Sequence, residues 1–183
     1  SLDSSTNNFT ITRNGNTTQG TFTPYGPDWS NYFGGSDYLT TSSNAALGLS
    51  TGDFTVEAWV YCTSLGATQT INDARSGVTQ TAYVFAVFSS GALNFYDGPN
   101  NTDRTSTAGV ILINTWNHVA ATRSGTTLRL FVNGAVVGTF TGISSDFGSS
   151  QPTSIGRQVS AAGYFNGYIS NFRVLKGTAL YTA

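Results

Sequence analysis

The stretch WNHVAATRSGTTLRLFVNGAVVGTF, Trp116 to Phe140, reads as three consecutive antiparallel strands with both connecting turns written into it. Asn133-Gly134 supplies two residues that tolerate positive φ, which suits a tight type I′ hairpin whose twist matches its flanking strands. Ser124-Gly125 marks the other turn. Leu128, Leu130 and Val132 alternate with Arg129 and Phe131, the period of two expected of a strand with two different faces.

The same alternation and turn chemistry extend outward to further short strands: Phe9–Arg13, Tyr38–Thr41, Phe54–Tyr61, Ala82–Phe88, Leu93–Tyr96, Ser154–Gly156 and Tyr164–Leu175. No long helical pattern interrupts them. In Phe54–Tyr61, Phe54, Val56, Ala58 and Val60 share one face while Thr55, Glu57, Trp59 and Tyr61 share the other, so apolar bulk lies on both. Such a strand is covered on both sides. Asn14-Gly15 and Asn166-Gly167 repeat the hairpin signal, and evenly spaced strands with this punctuation predict an all-β fold, a two-sheet antiparallel β-sandwich. The 183 residues fit one domain, large enough to bury roughly 70% of its unfolded surface without staples. The sandwich is placed over residues 31–183. Residues 1–30, rich in Asn, Thr and Gly, form an N-terminal edge segment packing on it. The start at Ser1 without methionine reads as a piece of something longer.

Charged residues make up 9% of the chain, against about 25% in ordinary soluble domains. The net charge of −1 leaves no electrostatic footprint for phosphate backbones or anionic lipid, which argues against nucleic acid as a partner. No apolar run approaches the roughly 20 residues needed to span a bilayer, so membrane insertion is not expected. The single cysteine, Cys62, cannot form an internal disulfide and reads as a small buried apolar residue. His118, the only histidine, shows neither an orienting acid nor an elbow-like nucleophile nearby and reads as structural. Glu57, the only glutamate, shares a strand face with Trp59, and a carboxylate buried there needs a cationic partner, Arg123 or Arg173.

Contact with other molecules falls to the long polar loops Cys62–Thr81, Asp97–Gly109 and Thr141–Thr153. Aromatic rings offer flat apolar faces to pyranose C–H groups while neutral amides take the hydroxyls. On that basis Tyr25, Trp29, Tyr83, Tyr96, Asn101 and Tyr164 are the candidate sugar contacts. The run YDGPNNTD, Tyr96 to Asp103, concentrates oxygen donors, and Asp97, Asn100 and Asp103 are the candidate calcium ligands. The same residues also read as a solvated turn, since Asp, Asn and Gly are ordinary turn formers. Asp37 and Asp73 are further carboxylates of the same standing. Asn8, Asn16 and Asn100 begin Asn-x-Ser/Thr triplets, which a chain this rich in Asn and Thr produces by composition.

FTVEAWV (Phe54–Val60), the Trp116–Gly134 run, SIGR (Ser154–Arg157) and YFNGYISNFRVLKG (Tyr164–Gly177) occur in this order and at these separations. Together they resemble the laminin-G-like jelly roll of the concanavalin-A-like lectin and glucanase superfamily, from about Asn31 to Tyr181. The preamble Asp3–Leu39 and the closing KGTALYT (Lys176–Thr182) are similar to modules in virion proteins of marine tailed bacteriophages. The resemblance implies two curved sheets, with ligands met on the concave face or the loop rim, and in many members a calcium ion at the loop edge. The glucanases resemble one another in a Glu-x-Asp-x-x-Glu run. Here Glu57 is followed by Ala58 and Trp59, so the paired carboxylates of a retaining hydrolase are missing from that strand. The expectation is therefore a noncatalytic recognition or display module on an extracellular or virion surface, binding a glycan or cell-surface polysaccharide. The alternative is a virion decoration or spacer domain contacting other virion subunits with no small ligand.

Overall fold

The computed structural model describes residues 3–79 and 81–183. Ser1, Leu2 and Gln80 lie outside them, and with them the first two residues of the N-terminal segment and one residue of the predicted Cys62–Thr81 loop. Fourteen strands follow one another: β1 (Thr12–Asn14), β2 (Thr18–Gly20), β3 (Ser30–Gly34), β4 (Tyr38–Asn44), β5 (Phe54–Cys62), β6 (Gln69–Asp73), β7 (Tyr83–Val87), β8 (Leu93–Asp97), β9 (Thr102–Thr105), β10 (Trp116–Ser124), β11 (Thr127–Val132), β12 (Ala135–Phe140), β13 (Gln151–Ile155) and β14 (Asn166–Lys176). They form two seven-stranded antiparallel sheets, ordered β1-β4-β13-β6-β7-β8-β9 and β12-β11-β10-β5-β14-β3-β2. This is a jelly-roll sandwich. The Trp116–Phe140 meander becomes β10, β11 and β12, and Asn133 (φ 50°) and Gly134 (φ 82°) take the two positive-φ positions of its tight turn.

Alternation decides what lies between the sheets. Phe54, Val56, Ala58 and Val60 of β5 face inward with Val119 and Ala121 of β10 and Leu128 and Leu130 of β11. Opposite them stand Ile71, Tyr83, Phe85, Val87, Leu93 and Phe95 from β6, β7 and β8. Cys62 closes one end of this core, and burial pushes its thiol up to about 12, so it is an inert packing residue at neutral pH.

Two of the predicted loops contain strands. β6 lies inside Cys62–Thr81 and β9 inside Asp97–Gly109. In β6, Gln69, Thr70, Asn72 and Asp73 are all buried, a polar composition that reads as a loop but is carried by specific bonds. Gln69 Oε1 accepts from the Asn166 backbone at 2.6 Å, and Asn72 Nδ2 donates to Thr153 Oγ1 at 2.8 Å. The N-terminal segment supplies β1, outermost in the first sheet, and β2, outermost in the second, while its strand begins at Thr12 rather than Phe9.

The outer face of the second sheet carries a cross-strand aromatic rung, Tyr32–Tyr168–Tyr61–Trp116. Phe22, from the loop between β2 and β3, packs its ring 5.0 Å from Tyr61 and 4.8 Å from Tyr168. This is the second apolar covering that the two-faced pattern of Phe54–Tyr61 requires.

Candidate functional site

A cleft of about 220 Å³ opens on the outer face of the first sheet, lined by Thr68, Arg75, Val84, Ala86, Phe88, Asn94, Tyr96, Asp103 and Gln158. Register builds it. Two rungs cross four strands on this face: Asp73–Val84–Tyr96–Asp103 and Thr70–Ala86–Asn94–Thr105. Their in-plane neighbours Tyr83, Phe85, Leu93 and Phe95 point the other way, into the core. Val84 and Ala86 are small, so the floor is low and aliphatic. Phe88 and Tyr96 rise at its edges.

The polar groups around this floor are held by hydrogen bonds. The Tyr96 hydroxyl donates to Asn101 Oδ1 at 2.8 Å. Asn94 Nδ2 donates to Asp103 Oδ1 at 2.9 Å, while Asn94 Oδ1 accepts from Thr105 Oγ1 at 2.8 Å, which fixes the amide's orientation. Arg75 lies over the Tyr96 ring, 5.7 Å from its centroid. Its guanidinium is tied to the fully buried Asp73: Nε donates to Oδ1 at 3.0 Å and Nη2 to Oδ2 at 2.7 Å. Those bonds raise the Arg75 pKa above the ordinary value. The Val159 backbone N–H also donates to Asp73 Oδ2, tying the loop after β13 to the same carboxylate.

The predicted sugar contacts are not brought together. Tyr96 and Asn101 are bonded to each other beside the cleft. Tyr164 is half-buried in the loop that also carries Gln158. Tyr25 (50% exposed) packs on Trp59 at 5.4 Å and Trp29 (54% exposed) lies near β14, both over the second sheet. Tyr83 is a correction: at 1% exposure, with its ring stacked on Phe95 at 5.0 Å, it is core. Arg75, Asn94, Gln158 and Thr68 were not singled out by sequence reasoning. Asn94 had a legible signal, a polar residue at the outward position two before Tyr96; Arg75 and Thr68 flank the unpredicted β6.

The predicted calcium ligands do not converge either. Asp97 and Asp103 sit on opposite faces of the sheet, since Tyr96, not Asp97, pairs with Asp103. Asp97 is fully buried, accepting from Ser145 Oγ at 2.6 Å, Asn100 Nδ2 at 3.0 Å and Arg104 Nη2 at 3.1 Å. Burial would raise its pKa, but the bonds from Ser145, Asn100 and Arg104 outweigh that and lower it. A guanidinium already occupies the place where a cation would stand, so these three residues do not fit the ion. Among the described residues no group of three or more His, Cys, Asp or Glu side chains could hold a metal. Millimolar calcium or EDTA is therefore expected to leave Tm unchanged within about 1 °C, since a ligand bound by the folded state alone would raise it. A calcium-dependent rise of several degrees in differential scanning fluorimetry would contradict this.

Glu57 pairs with Arg173, while Arg123 turns to the other face and donates to the Gly125 and Ser145 carbonyls. A bulge makes the pairing. Between Ser170 and Arg173 the strand β14 carries one residue more than β5, with Asn171 at φ 49°, so Arg173 comes to lie opposite Glu57. Glu57 also accepts from His118 Nε2 at 3.1 Å and the Tyr181 hydroxyl at 2.7 Å. His118 thus does have an orienting acid, but among the described residues no serine, threonine or cysteine side chain bonds to its ring.

A family model matches residues 33–180. The chain belongs to the Concanavalin A-like lectin/glucanases superfamily. Solved structures share the fold at low identity. Domain 4 of AbnA, an extracellular arabinanase from Geobacillus stearothermophilus, in complex with arabinotriose, superposes with a TM-score of 0.72 at 18% identity over 96% of this chain and 86% of that one. Botulinum neurotoxin type C, whose cell entry is described as dependent on two ganglioside molecules, gives 0.69 at 15% over 97% of this chain. The binding domain of botulinum neurotoxin DC in complex with SialylT gives 0.69 at 16% over 97%. The chain spans 45% of each of these two toxin chains. Comparison with curated proteins gives no match. Among the described residues no helix is long and apolar enough to cross a membrane.

Proposed function

We propose that the chain is a noncatalytic carbohydrate-recognition module, displayed outside the cell or on a virion surface, and that the cleft over β6–β9 is its sugar site. The observation that carries this reading is the cleft's chemistry: an aliphatic floor edged by Tyr96 and Phe88, with prefixed amide, carboxylate and guanidinium groups from Asn94, Asp103 and Arg75. That combination suits a ring with one apolar face and a girdle of hydroxyls. The arabinotriose and SialylT complexes of domains with this fold add support. A single shallow cleft gives weak binding, which many copies on one assembly raise by avidity.

Hydrolysis is disfavoured by the carboxylates. Glu57 is saturated by three partners, and Asp97 by three donors on the core side of the first sheet. The backbones of Asp73 and Asp103 stand three strand spacings apart, about 14 Å, and the fully buried Asp73 carboxylate is already taken by Arg75 and the Val159 N–H. On a glycan array, the wild-type domain is expected to bind a subset of sugars and Tyr96→Ala to lose at least about tenfold of that signal. An unchanged array for a folded Tyr96→Ala domain would sink the site assignment.

A second reading, a virion decoration or spacer domain that contacts neighbouring subunits, is favoured by the outward aromatics Phe22, Tyr25, Trp29 and Tyr32 over the second sheet. The phage-like phrases at the two ends of the chain point the same way. Silence on the array together with concentration-dependent self-association would select it.

A further inference from the structure

The cleft contains one guanidinium and one carboxylate, but the two are not equivalent. Arg75 lines the cleft but is neutralised from beneath: both Nε and Nη2 are spent on the buried Asp73 carboxylate. Asp103 has no such partner. It is exposed, Asn94 is its hydrogen-bond donor at Oδ1, and among the described residues Oδ2 has no donor. The other cations near these strands are committed elsewhere. Arg104, the next residue along β9, points through the sheet to Asp97, and Arg157, beside Gln158, stacks on the Tyr38 ring at 3.6 Å. The remaining lining residues carry no charge.

We infer that this cleft selects uncharged sugars and rejects glycans bearing carboxylates, with Asp103 as the residue that sets the preference. The inference rests on the carbohydrate reading above and adds the class of sugar. A uronate or sialate carboxylate entering the cleft meets an uncancelled like charge within a few ångströms, partly shielded from water by Tyr96 and Phe88. Like charges at such range disfavour binding. A neutral sugar instead offers Asp103 Oδ2 a hydroxyl donor, a charge-assisted hydrogen bond that a second carboxylate cannot make. The composition agrees: a surface with so few cations has little with which to attract an acidic polysaccharide.

The test is isothermal titration at pH 7 of wild type and Asp103→Asn with matched oligosaccharides, galactotetraose against tetragalacturonate, at low and at 0.5 M salt. Asp103 is on the surface and Asn keeps the acceptor for Asn94, so the variant is expected to fold. For wild type at low salt the acidic member should bind at least about tenfold more weakly than the neutral one. Salt should narrow the gap by screening. Asp103→Asn should bring the ratio to within about threefold by strengthening the acidic member. Equal or tighter binding of the acidic member by wild type, or a ratio untouched by Asp103→Asn, overturns the preference and leaves sugar binding standing. If neither this pair nor any neutral or acidic sugar on an array binds, the carbohydrate reading itself fails, and this inference with it.

Discussion

Tyr83→Ala is expected to lower folding stability by about 3–5 kcal/mol, a fall in Tm of roughly 10 °C for a domain of this size. The ring is fully buried, stacked on Phe95 at 5.0 Å and on Phe54 at 6.4 Å, with Phe147 set edge-on at 6.1 Å. Removing it leaves a cavity beside Phe54, Phe95 and Phe147, and the ladders of β5 and β8 hold the first two in place. Tyr25→Ala, which trims a half-exposed ring, is expected to cost under about 1 kcal/mol. Urea denaturation of both variants checks the contrast. A Tyr83→Ala domain as stable as wild type would mean that the ring does not stand between the sheets.

Glu57→Ala should cost about 3 kcal/mol at pH 7. Loss of the carboxylate strands three donors at once: His118, Tyr181 and the Arg173 guanidinium. Arg173 is 53% exposed and can rehydrate, so the expected cost sits at the low end of that for breaking a buried pair. The same group makes stability depend on pH. Burial by itself would raise the Glu57 pKa, but the bonds from His118, Tyr181 and Arg173, with the Arg173 charge, hold it down at about 2, against 4.5 for the free side chain. The unfolded chain therefore takes up this proton first as pH falls. The contribution is complete above about pH 5 and disappears between there and about pH 2. Its size is roughly 2–3 kcal/mol once solvent screening of Arg173 is allowed for. In denaturant titrations the gap between wild type and Glu57→Ala should shrink by that amount over this range. A gap that does not change from pH 6 to pH 2 would show that the carboxylate is not charged and bonded as described.

The parts of this fold legible in the sequence are those where turn chemistry and alternation act within one hairpin. The Trp116–Phe140 meander and its Asn133-Gly134 turn are of that kind. β6 was hidden because its residues are polar, and distant chain segments supply the hydrogen bonds that hold them. β9 is equally polar and was hidden although its partner is the neighbouring β8. The bulge at Asn171 is equally nonlocal in its effect. It changes which face Arg173 takes, and so settles the Glu57 partner that parity alone left open between Arg123 and Arg173. Arg123 could have been set aside from β10 itself, since it lies an odd number of residues from Ala120, the residue opposite Glu57.

The candidate site was less legible for the same reason. Its two rungs need the order of β6, β7, β8 and β9 in the sheet, and no single stretch states that order. Tyr96 was found because it sits where an aromatic leaves a strand. Tyr83 could have been placed correctly by its spacing of two from Phe85, whose inward direction the alternation already gives. Asp103 was drawn to a metal by its neighbours in sequence, whereas its partners across the strands, Tyr96 and Asn94, put it in the cleft.

The most direct test is a map of where a sugar lands. In a titration of the isotopically labelled domain with the neutral trisaccharide that binds best on an array, backbone amide shifts should cluster at Thr68, Arg75, 84–88, 94–96, Asp103 and Gln158. Shifts confined to Phe22, Tyr25, Trp29 and Tyr32, on the far side of the sandwich, would contradict the account.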